Sequence, residues 1–340
     1  MARVRVMGAG IIGLAVADEL LRRGHQVEVV DPSPGSGASY AAAGMLSPVG
    51  ELWYGEEALH ALGHEAAELW PDYAARLGVA LQRGSVLAGA DAGDMAQIDR
   101  RLKLAGSHHE QAVALERAEL LEREPGLGRV LGGAWLPDDH SVDPRAVVAA
   151  LRNRVRVADT AQTIEPEVTV WATGTQLPEP YSALVRGVRG EILRLRLPTA
   201  DLPRHTVRAW VHGEQVYVVP RAGGEVVVGA TQEEHDAPPV VSAEAVWRLL
   251  DTARRLLPAL DRAIFVEATA RDRPGTADNL PLVGPTHEPG VLLAAGHFRH
   301  GVLLAPLTAR LIAEQIETGG VEPAVDPRRM AARVKQGAGR

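Results

Sequence analysis

Three glycines near the N-terminus have the spacing of a phosphate-binding turn. Gly8, Gly10 and Gly13 form a G-x-G-x-x-G pattern between a predicted strand and a predicted helix, and Asp31 stands eighteen residues past the last glycine. The first glycine allows a tight turn, the second lets the main chain approach a pyrophosphate, and the third lets helix pack on sheet. Asp31 would accept hydrogen bonds from ribose hydroxyls and disfavours the 2′-phosphate of NADP. The pattern predicts a dinucleotide site without choosing between FAD and NAD.

The composition is that of a globular protein and excludes several function classes. The chain has 340 residues, 46% of them hydrophobic, which suits two domains or one domain with a large insertion. A formal net charge of -7 argues against a large nucleic-acid footprint, since such binding needs many phosphate-neutralising side chains. The absence of cysteine excludes disulfides, thiolate metal sites and a cysteine-linked flavin. No metal site is predicted.

The N-terminus also bears on localisation. The chain enters a predicted strand within three residues, which leaves no room for a signal peptide, and no apolar run approaches the roughly 20 residues of a membrane span. We therefore expect a cytoplasmic protein with no membrane partner.

The glycine turn is positioned by a predicted βαβ unit. Residues 3–7 and 26–30 read as buried strands, and residues 11–21 have the apolar spacing of a helix between them. A helix start is predicted at residues 41–46 and a closing helix at residues 301–317. An antiparallel sheet is predicted from alternating segments at residues 190–196, 206–211, 215–219 and 225–228.

The fold class that follows is α/β, a Rossmann-like FAD-binding domain interrupted by an antiparallel-sheet α+β substrate domain. The discontinuous FAD-binding domain is predicted at residues 1–79, 140–184 and 270–340. The substrate-binding domain is predicted at residues 80–139 and 185–269.

Three further segments narrow the cofactor to FAD: residues 38–46 (ASYAAAGML), 273–284 (RPGTADNLPLVG) and 296–306 (GHFRHGVLLAP). Together with the glycine turn, they resemble the glycine oxidase branch of the D-amino-acid oxidase family of flavoproteins. The resemblance extends from end to end of the chain. It implies a non-covalent FAD whose flavin ring lies between the two domains.

The glycine turn and the resemblance together imply a set of cofactor contacts. Glycine at 301 would free the backbone of the last segment, and amides at a helix N-terminus could hold negative charge on a reduced flavin. A backbone contact to adenine is expected at residue 162, in a segment shorter than in familiar members. The cofactor-binding residues are Gly8, Gly10, Ile11, Ile12, Gly13, Asp31, Pro32, Ala38, Ser39, Ala43, Gly44, Met45, Gln162, His297, Phe298, Arg299, His300, Gly301, Val302 and Leu303.

The resemblance also assigns substrate contacts. Arg273 matches the arginine that holds the substrate carboxylate, a role that suits the guanidinium fork. Tyr217 matches a tyrosine that reaches the same carboxylate, and Arg299 lies at a position associated with the substrate pocket. Gln232 replaces a methionine of a familiar glycine oxidase, so small D-amino acids or sarcosine compete with glycine as the preferred substrate.

The implied reaction is FAD-dependent oxidative deamination. Hydride passes from the α-carbon to flavin N5, which needs proximity more than a strong general base, so no catalytic side chain is assigned. The products are the 2-oxo acid, ammonia and, with O2, hydrogen peroxide; alternatively, the glycine imine feeds thiazole synthesis for thiamine. The resemblance also implies a homo-oligomer, and relatives suggest a homotetramer.

Three other readings stay open at this point. One is a D-amino-acid dehydrogenase that passes electrons to a quinone. Another is a non-catalytic flavin- or nucleotide-binding module, and the third is a nicotinamide-dependent dehydrogenase, which would be colourless.

Overall fold

The structure is a computed structural model that describes residues 1–161, 165–235 and 237–330. The helices are α1 (Ile11–Arg22), α2 (Ala38–Ala41), α3 (Glu57–Leu77), α4 (Ala92–Ser107), α5 (Arg117–Arg123), α6 (Pro144–Arg152), α7 (Ala243–Leu256) and α8 (Ala305–Thr318). The strands are β1 (Arg3–Met7), β2 (Gln26–Val30), β3 (Met45–Leu46), β4 (Leu81–Gln82), β5 (Ser85–Gly89), β6 (Val113–Glu116), β7 (Gly132–Leu136), β8 (His140–Val142), β9 (Val157–Ala158), β10 (Val168–Trp171), β11 (Arg186–Arg196), β12 (Thr206–Val211), β13 (Glu214–Pro220), β14 (Glu225–Gly229), β15 (Ile264–Gly275), β16 (Leu282–Pro285) and β17 (Val291–Ala295).

A six-stranded sheet carries the predicted nucleotide-binding unit. Its order is β16-β17-β10-β1-β2-β9, and all neighbours are parallel except β16 and β17. Val4 and Val6 of the central strand β1 are fully buried, because helices cover a parallel sheet. Helix α1 packs against α8, with Leu20 and Ile312 both buried in the core between them. The Rossmann-like prediction is confirmed.

An eight-stranded sheet forms the second layer of the molecule. Its order is β15-β11-β14-β13-β12-β5-β7-β6, and its neighbours are antiparallel except β12 and β5. Helix α7 packs on β11 to β14, and its Leu249 and Leu256 are buried in the second core. The predicted antiparallel sheet is therefore present, with β15 as one edge strand. The domain boundaries stay a prediction.

Two local predictions were wrong. Residues 41–46 do not start a helix: α2 ends at Ala41, and Met45 enters β3, where it pairs with Ser141. The last helix starts at Ala305 rather than at Gly301. Pro306 explains this, since proline lacks an N–H donor and is tolerated only in the first turn of a helix.

Among the described residues, we find no helix that combines the length and apolar character needed to cross a membrane.

Candidate functional site

The glycine turn is packed so tightly that two of its positions exclude a side chain. A Cβ on Gly8 would lie 2.5 Å from the Ala172 carbonyl oxygen, and one on Gly13 would lie 2.0 Å from the Gly8 carbonyl oxygen. Gly8 also has a φ of 104°, which disfavours any residue with a Cβ. The first and third glycines thus bring β1, α1 and β10 together as predicted.

Asp31 and Ser39 hold the turn in place through backbone amides. Asp31 accepts hydrogen bonds from the amides of Ala9 and Ser33, both at 2.7 Å. Ser39 accepts a hydrogen bond from the Ile11 amide at 3.0 Å. Helix geometry leaves the remaining first-turn amides of α1 without an intrahelical partner. A helix N-terminus with such amides fits the pyrophosphate of FAD.

Other predicted contacts flank this turn with different exposure. Pro32 is exposed, Ala38 is half-buried, and Ile12 is half-buried on α1 beside the main core. Gln162 lies outside the described residues, so its predicted adenine contact stays a prediction.

Residues 43–45 lie against the eight-stranded sheet. Ala43 is buried with Ile192, Val219 and Val227, and Met45 packs on the same cluster. The Arg221 guanidinium donates a hydrogen bond to the Ala43 carbonyl oxygen. This segment therefore passes between the six-stranded and eight-stranded sheets, where the flavin ring is expected.

The segment from His297 to Leu303 forms tight turns before α8. The Leu303 carbonyl oxygen accepts a hydrogen bond from Trp70 Nε1 at 2.8 Å, which ties the segment to α3. His297 Nε2 lies 2.9 Å from Thr308 Oγ1. Phe298, not Gly301, has the unusual backbone, with a φ of 47°. Gly301 has ordinary helical angles, and a Cβ there would make only an ordinary contact, 3.7 Å from the His297 Cβ, so backbone freedom does not explain the glycine.

Both histidines of this segment are neutral at neutral pH. Burial, reinforced by His300, lowers the pKa of His297 to about 3. Burial also lowers the pKa of His300 to about 4; Glu51 opposes that shift, whereas Arg299 and Arg208 add to it. The segment therefore contributes imidazoles rather than imidazolium cations to the site.

Arg273 and Tyr217 meet above two glycines of the eight-stranded sheet. A Cβ on Gly190 would lie within 2.5 Å of three guanidinium atoms of Arg273, and one on Gly229 would lie 2.3 Å from the Tyr217 hydroxyl. Arg273 donates hydrogen bonds to the carbonyl oxygens of Thr231 and Arg189 at 3.1 and 3.3 Å. The missing side chains let Arg273 and Tyr217 lie flat across β11 and β14.

The Arg273 guanidinium has no carboxylate partner in the part of the chain that the structure describes. Asp272, its neighbour, is paired with Arg189 instead. Burial lowers the pKa of Arg273, an effect that Tyr217 and Glu51 oppose and Arg299 increases. Arg273 nevertheless keeps a partly accessible surface. A deep, accessible cation without a counter-ion is a site for an anion.

Two charged side chains that the sequence analysis did not predict, Glu51 and Arg208, join the predicted Arg299. Glu51 lies 2.6 Å from a guanidinium nitrogen of Arg208 and 3.4 Å from one of Arg299. Glu51 is one of 43 acidic residues and belongs to no motif. No local signal could have singled it out, because its partners come from β12 and from the turns before α8.

The loop of residues 47–54 presents Glu51 to the site and is itself held by two buried side chains. Asp139 accepts hydrogen bonds from the amides of Val49 and Gly50 at 3.1 and 2.9 Å. Arg101 donates hydrogen bonds to the carbonyl oxygens of Gly50 and Leu52 at 2.5 and 3.2 Å. The backbone is therefore fixed on both sides of Glu51.

Asp139 makes this loop sensitive to pH. Burial raises the pKa of Asp139 to about 7, although Arg208 and the two loop amides favour the ionised form. Because the folded pKa exceeds the unfolded value, stability is greatest at low pH and falls as the pH rises through about 7.

We expect Asp139→Asn to remove that pH dependence. Between about pH 5.5 and 8, the wild type should lose roughly 2 kcal/mol of unfolding free energy relative to the variant. Denaturant unfolding of both FAD-saturated proteins at the two pH values measures the difference. Parallel pH profiles would show that Asp139 is ionised throughout.

The predicted substrate contact Gln232 is placed differently from the other three. Its side chain is exposed, next to buried Thr231, whose carbonyl oxygen accepts the hydrogen bond from Arg273. Arg299 is only partly exposed and stacks near Phe298, with 5.1 Å from its guanidinium carbon to the ring centre. Arg273, Tyr217 and Arg299 are thus brought together, and Gln232 lies at the rim.

Comparisons with known proteins extend over most of the chain. The sequence profile of the family described as "DAO: FAD dependent oxidoreductase" matches residues 3–315. The chain is 33% identical to the "Bifunctional protein ThiO/ThiG" of Trichormus variabilis, over 95% of this chain and 53% of that protein. It therefore spans about half the length of these bifunctional relatives. It is also 33% identical to the "Putative thiamine biosynthesis oxidoreductase ThiO" of Rhizobium etli, over 94% of this chain and 98% of that protein.

A solved structure agrees over the whole fold. The crystal structure of glycine oxidase from Geobacillus kaustophilus superposes with a TM-score of 0.85 at 29% identity, covering 96% of this chain and 97% of that one. The family match confirms the predictions of an FAD cofactor and of an oxidoreductase. The chain belongs to the DAO family of FAD-dependent oxidoreductases.

Proposed function

We propose that the protein is an FAD-dependent amino-acid oxidase that acts on glycine, and on sarcosine or small D-amino acids as further substrates. Glycine, water and O2 would give glyoxylate, ammonia and hydrogen peroxide. The observation that carries the proposal is Arg273, an accessible guanidinium deep in the protein with no carboxylate partner among the described residues. Names of relatives support the same substrate class.

The side chains of the pocket bind and orient the substrate. Arg273 offers a fork of N–H donors that matches a carboxylate, and the Tyr217 hydroxyl lies beside it to give a further hydrogen bond. Burial raises the pKa of Tyr217, so its hydroxyl keeps its proton and acts as a donor. Tyr217 packs on the same cluster as Ala43 and Met45, so a carboxylate anchored there would hold the substrate next to residues 43–45. Bound FAD would supply the hydride acceptor there.

The remaining groups of the pocket set its charge rather than move a proton. His297 and His300 are neutral, and Glu51 is engaged by two arginines. No strong base is needed, because hydride can leave the α-carbon of a substrate with a neutral amine once that carbon is positioned. We therefore assign the chain a positioning function and no catalytic acid or base.

A role in thiamine biosynthesis follows as part of the proposal. A relative whose printed name gives that role, the "Putative thiamine biosynthesis oxidoreductase ThiO", matches 94% of this chain. The glycine imine formed by oxidation would be the unit supplied to the thiazole ring. We also propose a cytoplasmic homo-oligomer, with a homotetramer as the first possibility.

A peroxide-coupled assay tests the substrate range directly. We expect the purified yellow protein to release hydrogen peroxide under air with glycine, sarcosine and small D-amino acids. A protein that oxidises D-amino acids with a quinone dye but forms no peroxide would instead be a dehydrogenase. A colourless protein that binds a nicotinamide nucleotide would contradict the flavin reading altogether.

Gly190→Ala tests how the anchor is positioned. The new Cβ would meet the Arg273 guanidinium at 2.2 to 2.5 Å, so the guanidinium must move away from its place. We expect KM for glycine to rise roughly tenfold to a hundredfold with normal FAD content. Gly106→Ala, which meets nothing within 4 Å, is the control. An unchanged KM would mean that the guanidinium position does not govern substrate binding.

A further inference from the structure

Glu51 is the carboxylate that two arginines of the pocket share. Its distances to Arg208 and Arg299 are 2.6 and 3.4 Å, and the three side chains keep 13, 17 and 24% of their surfaces exposed, in the order Glu51, Arg208, Arg299. The charges of Glu51 and Arg299 reach Arg273, and those of Glu51 and Arg208 reach Tyr217, so the three side chains stand near the substrate anchors. Glu51 thus faces two positive charges, one of which, Arg208, also faces the Asp139 carboxylate.

Glu51 is ionised and acts on the substrate anchors. Burial disfavours its charge, but the guanidinium groups of Arg208 and Arg299 more than offset that effect, so the pKa of Glu51 lies far below its usual value. The same carboxylate adds to the raised pKa of Tyr217, which burial mainly causes, and it opposes the lowered pKa of Arg273. Its field thus reaches both groups that would hold a substrate carboxylate.

The backbone fixes this charge independently of the ion pairs. Asp139 and Arg101 bind the amides and carbonyls on either side of Glu51. An isosteric replacement of the carboxylate by an amide would therefore change the charge while the loop stays in place.

Resting on the proposed function, we propose that Glu51 is a specificity-determining residue that restricts the pocket to ligands with a single acidic group. With Glu51 ionised, Arg208 and Arg299 are partly neutralised, and Arg273 is the cation left to receive a carboxylate. Without it, the pocket would hold enough positive charge for a second acidic group. Ligands with two acidic groups, such as dicarboxylates, would then gain affinity more than monocarboxylates.

Two simple acids probe the charge without turnover. Acetate carries one negative charge and malonate two at about pH 8, and both can be titrated into the FAD-loaded protein by following the visible flavin spectrum. In Glu51→Gln we expect the affinity for malonate relative to acetate to rise by roughly tenfold or more over wild type. Glu65→Gln, on the exposed part of α3, is the matched control and should leave the ratio unchanged.

Arg208→Gln reverses the change of charge and tests the same idea from the other side. Alone it should lower the relative affinity for malonate, and combined with Glu51→Gln it should return the ratio towards wild type. These variants also decide the matter if Glu51→Gln alone does not bind FAD.

The outcomes separate specificity from mere structure and from the proposed reaction. Equal weakening of acetate and malonate in Glu51→Gln, or a ratio unmoved by charge in all three variants, would overturn the inference and leave Glu51 a structural residue. In that case the proposed oxidation of glycine by the wild type would be unaffected. Failure of the wild type to bind acetate and to oxidise any amino acid would instead count against the proposed function.

Discussion

Replacing Arg273 by alanine is expected to lower kcat/KM for glycine by roughly a hundredfold to a thousandfold while FAD stays bound. The guanidinium is a deep cation to which the described residues offer two backbone carbonyl oxygens and no carboxylate. Its loss removes two parallel charge-assisted hydrogen bonds to the substrate carboxylate. Steady-state kinetics with peroxide detection, together with the flavin content of each preparation, measures the effect.

Two further variants separate geometry from charge in this prediction. Arg273→Lys keeps the positive charge but not the two parallel N–H donors of the guanidinium. We therefore expect its kcat/KM for glycine to lie between those of Arg273→Ala and wild type. Arg254→Ala, on the exposed face of α7, should behave as wild type. Full turnover by Arg273→Ala would remove the basis of the substrate assignment.

Replacing Gly13 by alanine is expected to abolish FAD binding or folding. The new Cβ would stand 2.0 Å from the Gly8 carbonyl oxygen, and this overlap can be relieved only by moving α1 away from β1. That movement would carry the first-turn amides away from the pyrophosphate. Flavin content after purification and the FAD dissociation constant of the reconstituted protein measure the loss, which we expect to exceed a hundredfold.

Gly106→Ala on α4 is the matched control for Gly13→Ala. Its Cβ would meet nothing within 4 Å, and alanine is a better helix former than glycine. We therefore expect full FAD content and unchanged or slightly raised stability. A Gly13→Ala protein with normal FAD affinity would contradict the role of the turn.

The glycine turn could be predicted because the residues that form it are close together in the sequence. The spacing of Gly8, Gly10 and Gly13 reports a turn in which strand and helix are neighbours in the chain. Gly301 shows the limit of such reasoning. A glycine was taken as a sign of backbone freedom, whereas the unusual backbone belongs to Phe298 and Pro306 governs where α8 begins.

Contacts between residues that are far apart in the sequence could not be predicted from residue spacing. Arg273 and Tyr217 were expected together only through the family resemblance, since nothing in their spacing shows that β15 and β13 belong to one sheet with β11 and β14 between them. Their dependence on Gly190 and Gly229 is visible only in the register of the folded sheet. Glu51 is harder still, because its role depends on charges contributed by two distant segments, β12 and the turns before α8.

The most direct test of the central claim is anaerobic mixing of the purified protein with glycine. We predict that the yellow flavin colour bleaches, that glyoxylate appears in proportion to the flavin reduced, and that admitting air restores the colour with release of one hydrogen peroxide per flavin. A flavin that stays yellow with glycine, sarcosine and small D-amino acids would contradict the account.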